Sequence, residues 1–405
     1  MTVAVIGGGI QGCTVALELA DRGFRVDLFD VADSLLTAAS RNNEGKVHLG
    51  FVYAADPTLR TARLMMRGAS VFAPTLRRWL GRDFDAISVS TPFIYAVHRN
   101  SQRTPTELAA TYQAISAMAS STLTGDGEYF GRSHPGHLRR LESDELGVYG
   151  PEIVAAFETS ELAIDPDGLS DALRRVVMDH PGISTHLSTH VSSVDPTRRR
   201  IRVCTNGTTT EAVGPYVHIV NCSWAGRPAL DATIGILPQA EWSFRMKYFL
   251  RVSLVDAPVA VPSTTIVLGS FGDVVNFGND ALYLSWYPVG RRGWSTDLAP
   301  PNWPAELATE ESLDVANGLI AGLGDVLPSL GALAVTHAAR SVVRGGVIFA
   351  LGDSDLADPA SRLHQRHDVG PRSVGTYHSI DTGKLTLAPL FATAVADRIE
   401  GAVDG

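Results

Sequence analysis

Gly7, Gly9 and Gly12 follow the apolar stretch Val3–Ile6 in G-x-G-x-x-G spacing, and Asp30 closes a second apolar stretch, Phe24–Phe29. Residues of these types in this order cradle the pyrophosphate of a dinucleotide. Gly7 makes a tight turn, Gly9 lets backbone approach the phosphates, and Gly12 lets a helix lie close to a strand. The helix opened by Ile10 and Gln11 directs unpaired N–H groups at the phosphates. Asp30 would accept from ribose hydroxyls and repel a 2′-phosphate, which argues against NADP. The alternative is a glycine-rich turn that binds nothing. A second chemistry resides in His48, whose imidazole titrates near neutral pH and suits a general base or substrate contact. A histidine held by hydrogen bonds in a purely structural role is the other reading.

These residues need a scaffold, and the chain is long enough to build one. Its 405 residues are 45% apolar and 19% charged, an ordinary globular composition that predicts two or three structural units. A net charge of −9 without a basic run argues against nucleic acid as the main partner. Cys13, Cys204 and Cys222 are too few and too scattered for a disulfide framework or a zinc site. A strand beginning near residue 3 leaves no room for a signal peptide, and no apolar run reaches membrane-spanning length. A cytoplasmic protein without a transmembrane segment is expected.

Further elements follow from pattern. Asp56-Pro57 is expected to open a helix, with Arg60, Arg63 and Arg67 on its solvated face and Leu59, Ala62 and Met66 inward. A strand is expected at Phe93–Val97, a helix at 104–120, and a helix over Leu169–Val177 opened by Asp165-Pro166-Asp167-Gly168. The segment 183–220 reads as β-rich, with Asn206-Gly207 as a hairpin turn and a return strand at Tyr216–Val220. Alternating stretches at Phe244–Val252, Thr264–Leu268 and Ala281–Tyr287 predict an antiparallel sheet. Helices follow near 309–323 and at Leu387–Ile399.

The opening motif continues through Ala16, Leu19, Gly23 and Val26 to Asp30, and with it the chain resembles the D-amino acid oxidase superfamily of FAD-dependent oxidoreductases. Ser40–Gly50 is similar to that family's second flavin loop, with G-x-x-H-x-G at Gly45, His48 and Gly50. Val220-Asn221 with Trp224 resembles its return strand, although Cys222-Ser223 replaces the usual small-residue and glycine pair. Gly383-Lys384-Leu385-Thr386 resembles the G-K-x-T of the glycerol-3-phosphate dehydrogenase and 2-hydroxyglutarate dehydrogenase branch.

The resemblance implies an α/β (mixed α+β) fold in which a discontinuous Rossmann-like FAD-binding domain (1–58, 150–232, 340–405) is interleaved with an antiparallel-sheet substrate domain (59–149, 233–339). It implies FAD contacts from Ser40, Arg41, Asn43, Gly45, Lys46, Val47 and His48, from Val191, Asn221 and Trp224, and from Gly383, Lys384, Leu385 and Thr386, beside Gly7 to Gly12 and Asp30. The reaction implied is oxidation of a C–OH or C–NH bond of a small polar substrate by hydride transfer to flavin N5, with oxygen one possible acceptor. Backbone N–H groups of Gly383 to Leu385 and the Lys384 cation would face the negative charge of reduced flavin. Arg340 and Arg344 lie where relatives place an arginine for a substrate carboxylate, with an interdomain salt bridge as the alternative. Lys46, Lys247, Tyr248 and Tyr287 are lesser candidates. Covalent attachment through His48 stays open; attachment through a C-terminal cysteine is excluded, because none follows Cys222. An amine or amino-acid oxidase is the near alternative, and a flavin monooxygenase or a non-catalytic nucleotide-binding protein the more distant ones.

Overall fold

The computed structural model describes all residues except 125–128, 206–207, 210–211, 239, 255–259, 279, 333–340 and 404–405. Asn206-Gly207 and Arg340 therefore lie outside the described residues, although Thr205 and Thr208 on either side of the expected turn are paired antiparallel. Among the described residues no helix is long and apolar enough to cross a membrane.

Two sheets organise the chain. The first has six strands in the order Gly370–Val374, Tyr377–Asp381, His218–Asn221, Thr2–Ile6, Arg25–Phe29, Ile183–His186. All neighbours are parallel except the antiparallel pair at the Gly370–Val374 edge. Strands from both ends and the middle of the chain thus meet in one layer. Its central strand is apolar from Val3 to Ile6, as a strand covered on both faces must be, with Val3, Ala4 and Val5 wholly buried. The helices Ile10–Asp21 and Ala388–Val403 pack on it and on each other.

The second sheet has nine strands, drawn from Ile94–His98, Leu138–Arg140, Ile153–Thr159, the segment between Trp242 and Ser295, and Ser341–Leu351. Its pairs are antiparallel except Thr264–Val267 against Ile94–His98. Side chains alternate along the long strand Trp242–Ser253. Met246, Tyr248, Leu250 and Val252 form a core with Val315, Leu319 and Leu323 of the helix Thr309–Gly324. Arg245, Lys247, Phe249 and Arg251 occupy the opposite face. One face is therefore a packing surface and the other carries charge.

The expected elements form with shifted ends. The return strand is His218–Asn221, the strand near 93 is Ile94–His98, and the helix after Asp165 is Pro166–Asp179 with Asp165 capping Asp167 and Gly168 N–H. The helix expected from Asp56-Pro57 begins instead at Arg60. The Asp56 carboxylate turns the chain through Thr58 N–H at 3.0 Å before it reaches Thr61 N–H at 3.0 Å, so it caps the helix from outside the first turn. Arg60, Arg63 and Arg67 do face solvent, over buried Ala62 and Met66.

The glycine turn shows what each glycine is for. Gly7 has φ +100°, and a Cβ built on Gly12 would lie 1.7 Å from the Gly7 carbonyl oxygen. A Cβ on Gly9 would meet only the Ser40 hydroxyl, at 3.1 Å. Gly12→Ala is accordingly expected to destabilise the apoprotein by about 3 kcal/mol, the upper range for overpacking. Gly9→Ala should stay within about 0.5 kcal/mol of the parent. Urea unfolding of the two variants side by side measures the contrast, and equal losses would contradict it.

Candidate functional site

The first strand delivers the glycine turn to the edge of the parallel sheet, where Gly7 N–H donates to the Phe29 carbonyl at 2.8 Å. Asp30, expected to face ribose, braces this turn in the structure. One carboxylate oxygen accepts from Gly8 N–H and the other from Ala32 N–H at 2.7 Å. Burial raises its carboxyl above the usual range against the opposing pull of those two donors. The Ser40 hydroxyl accepts from Ile10 N–H at 2.7 Å and so lies at the N-terminus of the first helix. Gln11 points inward, donating to the Ala388 carbonyl at 3.0 Å and joining the first helix to the last.

The loop after Ser40 is held from several sides. Asn43 donates to the carbonyls of Ala39 and Ser40 and accepts from Gly45 N–H at 2.7 Å. Lys46 and Val47 pair antiparallel with Ala163 and Leu162. His48 N–H donates to the Thr386 hydroxyl at 2.8 Å, and that hydroxyl donates to the Lys46 carbonyl at 3.3 Å. Thr386 belongs to the single turn Leu385–Leu387 that leads into the final helix, after Gly383 with φ +63°. Lys384 spans the same junction, with Nζ 3.2 Å from Glu44. Burial alone would raise the Glu44 carboxyl, but Lys384, His48 and Lys247 together hold it well below the usual range.

Other predicted contacts have structural partners. Asn221 is buried and donates to Asp231 and the Tyr377 hydroxyl, both at 2.9 Å, while accepting from Ser223. Trp224 Nε1–H donates to the Val347 carbonyl at 2.8 Å and so ties the return strand to the second sheet. The Val191 side chain packs with Ile6, Phe29 and Val203. Lys46 Nζ is buried against Asp273 at 2.9 Å and Thr265 at 2.6 Å.

Between the loop Glu44–His48 and the charged face of the second sheet lies a cavity walled by Glu44, Lys46, His48, Tyr53, Arg245, Lys247, Asp273, Tyr287, His364, Arg366 and Lys384 among others. Arg344 and Tyr248 are not on this wall. Tyr248 faces the other way, donating to the Pro304 carbonyl. Arg344 donates to Asp167 at 2.8 Å, and Asp167 also receives Arg41 at 2.7 Å and Arg251 at 3.0 Å. Arg41 reaches Asp171 as well. Arg41 and Arg344 thus belong to an ion cluster that joins the loop after Ser40, the helix Pro166–Asp179 and the second sheet.

The cavity holds two arginines that no local pattern singles out. Arg245 and Arg366 are 2% and 7% exposed. Arg245 donates to the Tyr287 hydroxyl at 3.2 Å and Arg366 to the Phe349 carbonyl at 3.4 Å. Neither forms an ion pair among the described residues. Nε of both, the Tyr53 hydroxyl and both His48 ring nitrogens lack hydrogen-bond partners. Burial, and Arg245 beside it, pull the Arg366 guanidinium down to about 10. Unpartnered buried donors of this kind belong to a site that receives a polar ligand. Together with the open face of Gly9, they fit a bound dinucleotide and a substrate beside it.

A Rossmann-like sheet thus meets a charged antiparallel sheet over this cavity. Residues 2–398 match the family described as FAD dependent oxidoreductase (DAO), and the chain belongs to it; FAD is its cofactor. Solved structures with the same fold include glycine oxidase from Geobacillus kaustophilus (TM-score 0.68, 16% identity, 98% of this chain and 94% of that one). Iminodiacetate oxidase from Chelativorans sp. BNC1 is similar (0.67, 17%, 98% and 95%), as is L-α-glycerophosphate oxidase from Mycoplasma pneumoniae with FAD bound (0.60, 17%, 99% and 95%). FAD-dependent monooxygenase FPY4 of Fusarium mangiferae is 47% identical over 53 residues, and the chain spans 14% of that protein's length.

The Asp167 cluster gives a pH-dependent expectation. Burial would raise the Asp167 carboxyl, but Arg251, Arg344 and Arg41 hold it below the usual range. Its stabilisation is therefore complete above about pH 4, the ordinary value, and disappears as pH falls through the lowered one. Asp167→Asn should cost about 3 kcal/mol at pH 7, because Arg344 loses its acid while Arg41 and Arg251 keep Asp171 and Asp165. Denaturant titrations at both ends of the range should show that difference closing below about pH 4; a constant gap would rule the cluster out as its source.

Proposed function

We propose that this enzyme oxidises the C–OH bond, or alternatively the C–NH bond, of a small anionic substrate. The observation that carries this reading is the buried Arg245–Arg366 pair, two guanidinium groups on one cavity that form no ion pair with a carboxylate among the described residues. A buried charge is stable only when paired, so an anion from outside completes the site. Bound FAD supplies the acceptor for the hydride that leaves the substrate carbon. Arg245 and Arg366 hold the anionic group and thereby fix which carbon faces the acceptor. The Tyr287 and Tyr53 hydroxyls lie beside them as further donors.

His48 is the group proposed to take the proton. As the C–H electron pair departs, the substrate O–H or N–H proton passes to the ring, and a C=O or C=N product results. Lys384, fixed by Glu44 at the start of the final turn, adds positive charge where the cofactor gains negative charge. Glu44, Lys46, His48 and Lys384 line this cavity, and the predicted FAD contacts at Gly7 to Gly12, Ser40 to His48 and Gly383 to Thr386 are proposed as the cofactor cradle. Asp30, Val191, Asn221 and Trp224 are proposed to support it from behind. Oxygen is the first acceptor to test.

Anaerobic stopped-flow bleaching of the flavin separates the classes. Panels of 2-hydroxy acids, amino acids, neutral polyols and neutral amines should divide by charge, with anionic members bleaching and neutral ones inert. Arg366→Met should raise KM for the active anion about 100-fold, the loss expected when one partner of a desolvated charge pair is removed, while FAD stays bound. Bleaching by neutral substrates with Arg366→Met unaffected would refute the anion site. Flavin reduction by NADPH alone would point to the monooxygenase reading instead.

A further inference from the structure

Behind His48, on the side away from the cavity, lies a carboxylate that the reaction above does not use. Glu161 follows the strand Ile153–Thr159 and is fully buried. One of its oxygens accepts from Leu49 N–H at 2.6 Å and the other from the Tyr95 hydroxyl. Its surroundings are otherwise aromatic. Tyr95 packs against Phe51 and Tyr112, and the Tyr112 hydroxyl has no partner. No lysine or arginine forms an ion pair with Glu161 among the described residues. The cationisable group against it is His48, whose Nδ1 lies 3.6 Å from Oε1. Burial would raise this carboxyl, yet His48, Lys46 and the Tyr95 hydroxyl hold it below the usual range.

The imidazole is gripped on every side. Its backbone N–H is on Thr386 at 2.8 Å, and the Tyr53 ring meets it edge-on at 5.6 Å. Nε2 lies 3.8 Å from Glu44, which is itself on Lys384. Lys46, the other cation nearby, is occupied by Asp273. Nδ1 therefore faces a closed, carboxylate-bearing interior, and Nε2 faces the cavity side. Of the two carboxylates beside the ring, Glu44 is already paired with Lys384, so the one facing Nδ1 without a lysine or arginine ion pair among the described residues, Glu161, sets which nitrogen carries the proton, and Nε2 is left to do the chemistry.

We infer that Glu161 is a positioning residue acting through His48: its carboxylate, 3.6 Å from Nδ1, draws the ring proton to that nitrogen, leaves the Nε2 lone pair for the substrate, and stabilises the charge the ring acquires with the substrate proton. This rests on the proposed role of His48 as proton acceptor. Atoms balance without a further reactant, since the proton gained at Nε2 returns to solvent after product leaves and Glu161 is never protonated.

The test is Glu161→Gln in the FAD-loaded enzyme, with His48→Asn beside it. Removing the negative charge next to the ring disfavours its protonated form. The acidic limb of the kcat/KM profile should therefore move down by at least about one pH unit, within the range a neighbouring charge exerts. The kcat should fall at least about tenfold and KM stay within about twofold. A variant whose losses track FAD release, with the limb unmoved, would assign Glu161 a structural role and overturn the inference. Nitrogen-15 spectra of histidine-labelled parent enzyme, with His48→Asn identifying the signal, read the tautomer without perturbing Glu161. A neutral ring protonated at Nε2 would overturn the inference even if Glu161→Gln does not fold. Full turnover in His48→Asn would instead remove the reading on which it rests, and the inference with it.

Discussion

Buried positive charge must be neutralised, and the charged face of the second sheet shows two ways of doing so. Arg245, Lys247 and Arg251 lie on one face of the strand Trp242–Ser253, and Arg344 opposite Phe249 joins them. At one end Arg251 and Arg344 meet Asp165 and Asp167 from the helix Pro166–Asp179. At the other, no acid among the described residues forms an ion pair with Arg245 or Lys247. The same strand therefore fastens the two halves together at one end and stays receptive to an anion at the other. The division rests on where the acids of the facing layer fall, because the cations are alike.

The receptive end depends on the junction of three distant segments. The first helix is tied to the last through Gln11, the flavin loop to the final turn through His48 and Thr386, and loop to turn again through Glu44 and Lys384. Each tie uses a buried or half-buried polar group, and each is made at the edge of the parallel sheet where its strands deliver their loops. Gly346 marks where the second sheet presses on this junction, since a Cβ there would lie 2.5 Å from the Asn42 carbonyl oxygen. Gly346 is thus a point of close approach between sheet and loop, whereas a Cβ on Gly345 would meet Met246 and Tyr248 within the sheet.

The parts legible in the sequence are those governed by local backbone rules. Gly7, Gly9 and Gly12 announce the nucleotide turn because a tight turn and a helix–strand contact demand glycine within a few residues. Alternation announced the strands from Trp242 to Trp286, and Asp165-Pro166 announced its helix. Asp56 misled by one turn, because its carboxylate closes a local turn before it reaches the helix. Arg245 and Arg366 were not legible. Arg245 belongs to a strand whose alternation was visible, but nothing in that pattern says which face meets the cofactor domain. Arg366 comes from the irregular segment between Leu351 and Gly370, where no periodicity exists to read.

Arg344 shows why residue type is a poor guide without its partners. An arginine next to Gly345-Gly346 on a strand of the second sheet has the chemistry of a carboxylate clamp, and Asp167 gives it a carboxylate within the protein. Arg245, on the same face of the neighbouring strand, has the same chemistry and no such partner. An arginine becomes a ligand site when folding leaves it buried and uncompensated, and a structural tie when folding supplies the acid. That distinction depends on contacts between residues far apart in the chain, such as Arg344 and Asp167, so it emerges only once both layers are in place. The same rule separates Glu161, a buried acid whose ionisable partner is His48, from Asp167, which is held by three arginines.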